Sequence, residues 1–253
     1  MNNKTALITG ATSGIGKATA ELFAKNGINL VLCGRRADRL HLLQEELGKL
    51  VNVTILRFDV SKKEEVFKAI ESLPIEFEKI DFLINNAGNA HGLSSIQDGS
   101  TDDWDAMMDI NVKGLLYVSK AVIPNMIERE DGFIVNIGSI AGKEVYPNGN
   151  VYCASKHAVN ALNKAMRIDL NKHNIRVSAI HPGAVETEFS EVRFKGDVDK
   201  AKNVYKGFEA LQAEDIADII HFVVTRPYHV NIEDLIVYPT AQASATIIKK
   251  EVL

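Results

Sequence analysis

Leu7-Ile-Thr-Gly-Ala-Thr-Ser-Gly-Ile-Gly16 decides the fold. An apolar, strand-like run ends in glycines at 10, 14 and 16, and a helical pattern starts where they stop. Glycines there give a tight turn and close approach of the backbone. The helix that follows presents free N–H groups and the positive end of its dipole, a cradle for a pyrophosphate. The spacing is Gly-x-x-x-Gly-x-Gly rather than Gly-x-Gly-x-x-Gly. Alone, such a turn is weak evidence, since it also suits a turn with no ligand.

Outward from this unit, short β-branched runs alternate with longer amphipathic stretches. Strands are expected at 4–9, 29–34, 53–58, 80–85, 132–137, 176–181 and 234–238. Helices are expected at 14–26, 37–49, 62–72, 102–130, 151–172 and 214–225. Strict alternation of this kind is the signature of an α/β fold with a parallel sheet covered on both faces. With no repeat, low-complexity run or linker, one domain over 1–253 is expected. Residues 182–207 lack strong periodicity, and a loop that long in a compact domain is usually a lid or binding segment.

The chain has 253 residues, 46% of them hydrophobic and 25% charged, which suits a globular domain with one large core. A net charge of −4, with no basic block beyond Arg35-Arg36 and Lys249-Lys250, argues against a nucleic-acid partner. The start has no apolar leader, and no apolar run approaches the roughly 18–20 residues of a membrane span. Cys33 and Cys153 make neither a metal site nor a disulfide framework. A cytoplasmic compartment, no membrane partner and no metal are the expectations.

The second strand ends Leu30-Val-Leu-Cys-Gly-Arg-Arg36. In dinucleotide-binding units an acidic residue there takes a ribose 2′-hydroxyl, whereas arginine accommodates a 2′-phosphate. Arg35 and Arg36 therefore favour NADP(H), the alternative being solvated charges at a helix start. Asp59-Val60 follows the third strand and Asn85-Asn-Ala-Gly88 the fourth, at strand ends where ligands sit in open parallel sheets. Asp59 could accept from an adenine amino group or merely cap the next helix. Ala87-Gly88 would let a flat ring approach, and Asn85 could equally satisfy a turn.

Tyr152 and Lys156 stand four apart at the start of an Ala-rich helical segment, so their side chains leave one face a turn apart. An ammonium beside a phenol favours the phenolate, so the Tyr152 pKa is expected to fall toward working pH. Such a phenol trades a proton with a substrate oxygen. Ser139, at the end of the strand over 132–137, could orient that oxygen. Asn111, inside the long helical stretch, is unfavourable enough to need a reason, strain or a kink being the plain one.

Thr9-Gly-Ala-Thr-Ser-Gly-Ile-Gly16, Asn85-Asn-Ala-Gly88, Asn111, Ser139, Tyr152-Cys-Ala-Ser-Lys156 and Pro182-Gly183, in that order, resemble the short-chain dehydrogenase/reductase family. The resemblance implies a single-domain Rossmann fold, doubly wound, with seven parallel strands and helices on both faces. It implies a tetrad in which Tyr152 is the acid/base and Ser139 holds the substrate oxygen. Lys156 would grip the nicotinamide ribose and tune Tyr152, while Asn111 would anchor a water. It carries cofactor contacts onto Gly10, Thr12, Ser13, Gly14, Ile15, Gly16, Asn86, Ala87, Gly88, Pro182, Gly183, Val185 and Thr187.

Val185-Glu-Thr-Glu-Phe-Ser-Glu-Val-Arg-Phe-Lys-Gly-Asp197 and His229-Val-Asn-Ile-Glu-Asp-Leu235 look like the NADP-dependent 3-hydroxy acid dehydrogenase branch. That branch, also described as serine or L-allo-threonine dehydrogenases, implies 3-hydroxypropionate-like or 3-oxo acid substrates and a homotetramer built through 102–130 and 151–172. A hydroxy acid carries a carboxylate, for which arginine is the best single partner. Arg193 is the substrate candidate beside Ser139 and Tyr152, and Lys195 is second; both could instead be solvated charges. A carbonyl reductase of ketones, sugars or acyl thioesters is the alternative activity. His91, Tyr146 and His181 are read as packing.

Overall fold

The computed structural model describes residues 4–250; residues 1–3 and 251–253, which the expected domain 1–253 includes, lie outside the described residues. Seven parallel strands form one sheet: β1 (Thr5–Thr9), β2 (Asn29–Gly34), β3 (Val53–Arg57), β4 (Phe82–Asn85), β5 (Gly132–Ile137), β6 (Ile175–Pro182) and β7 (Asp234–Val237). Their spatial order is β3-β2-β1-β4-β5-β6-β7, so the order reverses between β1 and β4. This is the doubly wound Rossmann arrangement, whose ligand crevice opens at that reversal, beyond the carboxyl ends of the strands.

Strands β1, β2, β4 and β5, in the interior of the sheet, read as largely apolar runs because both faces are buried. Ala6 and Ile8 of β1 belong to the core on one face and Leu7 to the core on the other. Leu30 and Leu32 against Val31, and Phe133 and Val135 against Ile134, repeat the alternation. Helices α1 (Gly14–Lys25), α2 (Ala37–Leu47) and α9 (Ala213–Val224) cover the first face. Helices α3 (Lys63–Glu71), α5 (Leu115–Arg129) and α6 (Asn150–Leu170) cover the second. Truncating a fully buried core leucine such as Leu83 to alanine would cost about 2–5 kcal/mol.

Two stretches differ from the sequence reading. The single helix expected over 102–130 is three pieces: α4 (Thr101–Met108), a π-helical turn over Asp109–Gly114, and α5. The π turn contains Asn111, the residue the sequence marked as out of place in a helix, and it adds one residue to the winding there. Residues 182–207, expected without regular structure, hold two short helices, α7 (Phe189–Arg193) and α8 (Val198–Tyr205). Lys195 and Gly196 take positive φ of 53° and 90° and turn the chain between them. Asp197 then caps α8 by accepting from the Lys200 N–H at 3.0 Å.

Candidate active site

A cavity of about 500 Å³ opens over the carboxyl ends of β1, β2, β4, β5 and β6. Gly10, Thr12, Ser13, Gly14 and Ile15 form one wall. Gly10 and Gly14 sit at positive φ, 66° and 50°, which suits glycine. Gly16 lies behind the wall rather than in it: a Cβ there would meet the Gly10 carbonyl oxygen at 2.4 Å, so its absence lets α1 close onto the turn. Asn86 Nδ2 locks the turn by donating to the Thr9 carbonyl at 2.9 Å. Ser13 occupies the N-cap position without a side-chain cap, and the first turn of α1 carries no acidic residue. That end keeps donors and positive dipole free toward the cavity, which fits a pyrophosphate.

Arg35, Arg36, Asp59 and Val60 line the next stretch. Arg36 is the more engaged arginine: Nη2 donates to Ser13 Oγ at 2.8 Å and Thr12 Oγ1 at 2.9 Å, while Nη1 reaches Glu188 at 2.9 Å. Arg39 Nη1 donates to the other Glu188 oxygen at 2.7 Å. Burial raises the Glu188 carboxyl, but the two arginines outweigh it and hold the pKa below its ordinary value. Arg35 is largely exposed and stands 3.6 Å from Asp59. Asp59 also accepts from the Ser61 N–H at 2.9 Å, so it builds the turn before α3 as well as facing the cavity.

Asn86, Ala87 and Gly88 continue the wall, whereas Asn85 turns inward. Its Nδ2 donates to Ser119 Oγ and to Asn136 Oδ1, both at 2.9 Å. Asn111 is buried beside the cavity, not in its lining. Its amide accepts from the Asn89 N–H at 2.8 Å and donates to the Asn89 carbonyl at 2.8 Å and to Ser155 Oγ at 3.0 Å. The side chain is thus spent on holding the loop after β4. A Cβ on Gly88 would stand 3.2 Å from Asn111 Oδ1 and 3.4 Å from Lys156 Nζ, so this glycine lets both approach.

Ser139, Tyr152 and Lys156 meet at the cavity floor. Lys156 Nζ donates to the Ile137 carbonyl at 2.9 Å, and Ser139 Oγ accepts from the Ala141 N–H at 3.1 Å. The expected lowering of the Tyr152 pKa is not found. Burial pushes the phenol well above its ordinary value, reinforced by Tyr146 and opposed by a hydrogen bond with Ser139 and by Arg193. Burial also pushes Lys156 down to about 8. Spacing puts the pair on one helix, but desolvation is the largest influence on each of these enclosed groups.

Pro182, Gly183, Val185, Thr187 and Arg193 line the far side. Arg193 is brought inward by α7. Nη2 donates to Tyr146 Oη at 2.8 Å, and the guanidinium carbon stands 5.4 Å from the Tyr152 ring centre. The segment is tied to the loop after β4, where Gly92 N–H donates to the Arg193 carbonyl at 2.9 Å. Lys195 pairs instead with Asp103 at 3.0 Å, outside the lining. Tyr146, read from sequence as packing, is a lining residue. Arg39 and Glu188 were missed, because the only sequence signal was charge beside candidate segments. Among the described residues no cluster of three or more His, Cys, Asp or Glu could hold a metal, and no helix is long and apolar enough to cross a membrane.

A family model described as short chain dehydrogenase matches residues 4–197. The chain is 44% identical over 240 residues to the NADP-dependent 3-hydroxy acid dehydrogenase of Salmonella typhi, covering 94% of this chain and 96% of that protein. It is 42% identical over 241 residues to serine 3-dehydrogenase of Rhizobium radiobacter, covering 95% and 96%. A solved closed form of serine dehydrogenase complexed with NADP+ superposes with a TM-score of 0.92 at 41% identity, covering 98% of this chain and 100% of that one.

Proposed function

The chain belongs to the short-chain dehydrogenase family, and from that premise we propose that it is an NADP-dependent oxidoreductase interconverting a 3-hydroxy acid and the matching 3-oxo acid. The observation that carries the substrate class is Arg193, a guanidinium held over the Tyr152 ring at 5.4 Å. In a 3-hydroxy acid two carbons separate the hydroxyl from the carboxylate, so a carboxylate on Arg193 would leave the hydroxyl within reach of Tyr152 and Ser139. The 42–44% identity to hydroxy acid and serine dehydrogenases supports the same class.

When bound, NADP(H) supplies the hydride chemistry. The free N–H groups at the start of α1 suit its pyrophosphate, and Arg36 with Ser13 and Thr12 suits its 2′-phosphate. Gly183, Val185 and Thr187 would face the nicotinamide end, and Lys156 the adjoining ribose. In reduction, a neutral Tyr152 phenol gives its proton to the substrate oxygen as negative charge develops there, and Ser139 Oγ–H steadies that oxygen. In oxidation Tyr152 must first lose its proton. The buried phenol makes that the harder direction, and the Arg193 cation opposes the penalty.

The segment 182–207 acts as a lid in this reading, its α7 carrying Arg193 over the substrate. Assembly as a homotetramer through α4, α5 and α6 and a cytoplasmic setting complete the proposal. Assays of NADP reduction over serine, allo-threonine, 3-hydroxyisobutyrate and simple secondary alcohols test it. Activity confined to the acids is expected; equal activity on uncharged alcohols would favour a general carbonyl reductase.

A further inference from the structure

Behind Ser139 the structure encloses an imidazole that the mechanism above leaves unused. His181, on β6, is wholly buried. Its Nδ1 lies 3.2 Å from the Ser139 carbonyl oxygen. A carbonyl only accepts, so Nδ1 must carry a hydrogen, and in a neutral ring Nε2 is then the bare nitrogen. Nε2 is buried with no hydrogen-bond partner, and it faces Asp234 Oδ1 of β7 at 3.4 Å. Two acceptors confront each other there. The confrontation is tolerated because Lys143 Nζ takes the other Asp234 oxygen at 2.5 Å and also donates to Asn160 Oδ1 at 2.9 Å. Burial, then the Lys143 charge, push the His181 pKa down to about 4, which agrees with a neutral ring.

A buried nitrogen without a partner in a core position asks for an explanation. The ring also stands where a side chain on residue 138 would be: a Cβ on Gly138 would lie 2.3 Å from His181 Nδ1. The backbone at the end of β5 is therefore gripped at three consecutive residues. Lys156 holds the Ile137 carbonyl, the Gly138 N–H donates to the Ile180 carbonyl at 2.7 Å, and His181 holds the Ser139 carbonyl.

We infer that His181 is a positioning residue for Ser139: its Nδ1–H and the flat of its ring fix the 138–139 backbone and so aim Ser139 Oγ at the substrate oxygen. The unpaired Nε2 is what this arrangement tolerates, because turning the ring to satisfy it would release the Ser139 carbonyl. The inference rests on Ser139 being the residue that holds the substrate oxygen.

The test compares His181→Leu, His181→Asn and Ser139→Ala by steady-state kinetics and by NADPH binding. Leucine fills the space without a donor, whereas asparagine can place Nδ2 near the former Nδ1. His181→Leu is expected to lower kcat about tenfold or more, since misplacement by about 1 Å can cost about 10²-fold. NADPH affinity and KM should stay near those of the wild type, and His181→Asn should recover most of kcat. Wild-type kcat in a folded His181→Leu protein, no recovery with asparagine, or parallel loss of NADPH binding would overturn the inference. Should His181→Leu not fold, Gly138→Ala displaces the ring instead, and an unchanged kcat there overturns it equally. An active Ser139→Ala protein would overturn the reading of Ser139 itself, a separate outcome.

Discussion

Glu188 Oε2 lies 2.9 Å from Arg36 Nη1, a bond between residues 152 positions apart that joins the start of α2 to the segment after β6. In the proposed function Arg36 meets the 2′-phosphate, so the carboxylate and the phosphate would draw on one guanidinium. Glu188→Gln should tighten NADPH binding about threefold, the scale that partly exposed ion pairs reach, and leave NADH nearly unchanged. Fluorescence titration at two salt concentrations checks this. Weaker NADPH binding would mean that the carboxylate helps to hold the cofactor rather than competing with it.

Tyr152→Phe removes the phenol proposed above to move the proton. Turnover should fall by about 10²–10⁴-fold or more, the range that general acid–base groups supply, with NADPH binding retained. Single-turnover measurements separate the two.

Burial holds the Tyr152 proton on, which fixes the sign of a pH effect. Oxidation needs the phenolate, so kcat/KM for the alcohol should climb as pH rises from neutral into the alkaline range. Reduction needs the phenol and should stay level until it begins to ionise. Paired profiles in the two directions decide; a level oxidation profile contradicts a phenol raised by burial.

Arg193→Ala should cut kcat/KM for hydroxy acids about 100-fold and change an uncharged alcohol little, as loss of a charge-assisted carboxylate contact predicts. An equal loss for both would make Arg193 a support for Tyr146, to which it donates at 2.8 Å.

His181 also carries a stability signature. Its folded pKa of about 4 lies below the ordinary 6.5, so between those values the unfolded chain binds a proton that the folded chain refuses. Its effect is therefore to lower stability as pH falls from about 6.5 toward 4 and to leave it untouched above. Urea unfolding at pH 7.5 and 5.0 should show a smaller drop for His181→Asn than for the wild type.

Much of this was legible in the sequence because the signals are local. Gly10, Gly14 and Gly16 must be glycine where a strand turns into a helix, and the alternation of β-branched runs with amphipathic stretches pointed to a covered parallel sheet. Tyr152 and Lys156 were placed by helical spacing alone. Their electrostatics were not, because spacing does not say how deeply a pair is buried. The Glu188 pair was hidden for another reason: an acidic residue in a charged segment looks the same whether water or two arginines surround it. The π turn escaped because its apolar residues keep an almost helical rhythm, and only Asn111 hinted at it.

That surplus residue between Asp109 and Gly114 also sets a phase. One residue of α-helix is about 100° of rotation, so deleting one here would rewind 101–129 as a single rod. Either Asn111 would swing off Asn89, or Val118 and Val122 would be dialled out of their sockets. A length change that a loop elsewhere would absorb unnoticed should here uncouple the sheet's packing from the floor of the cavity.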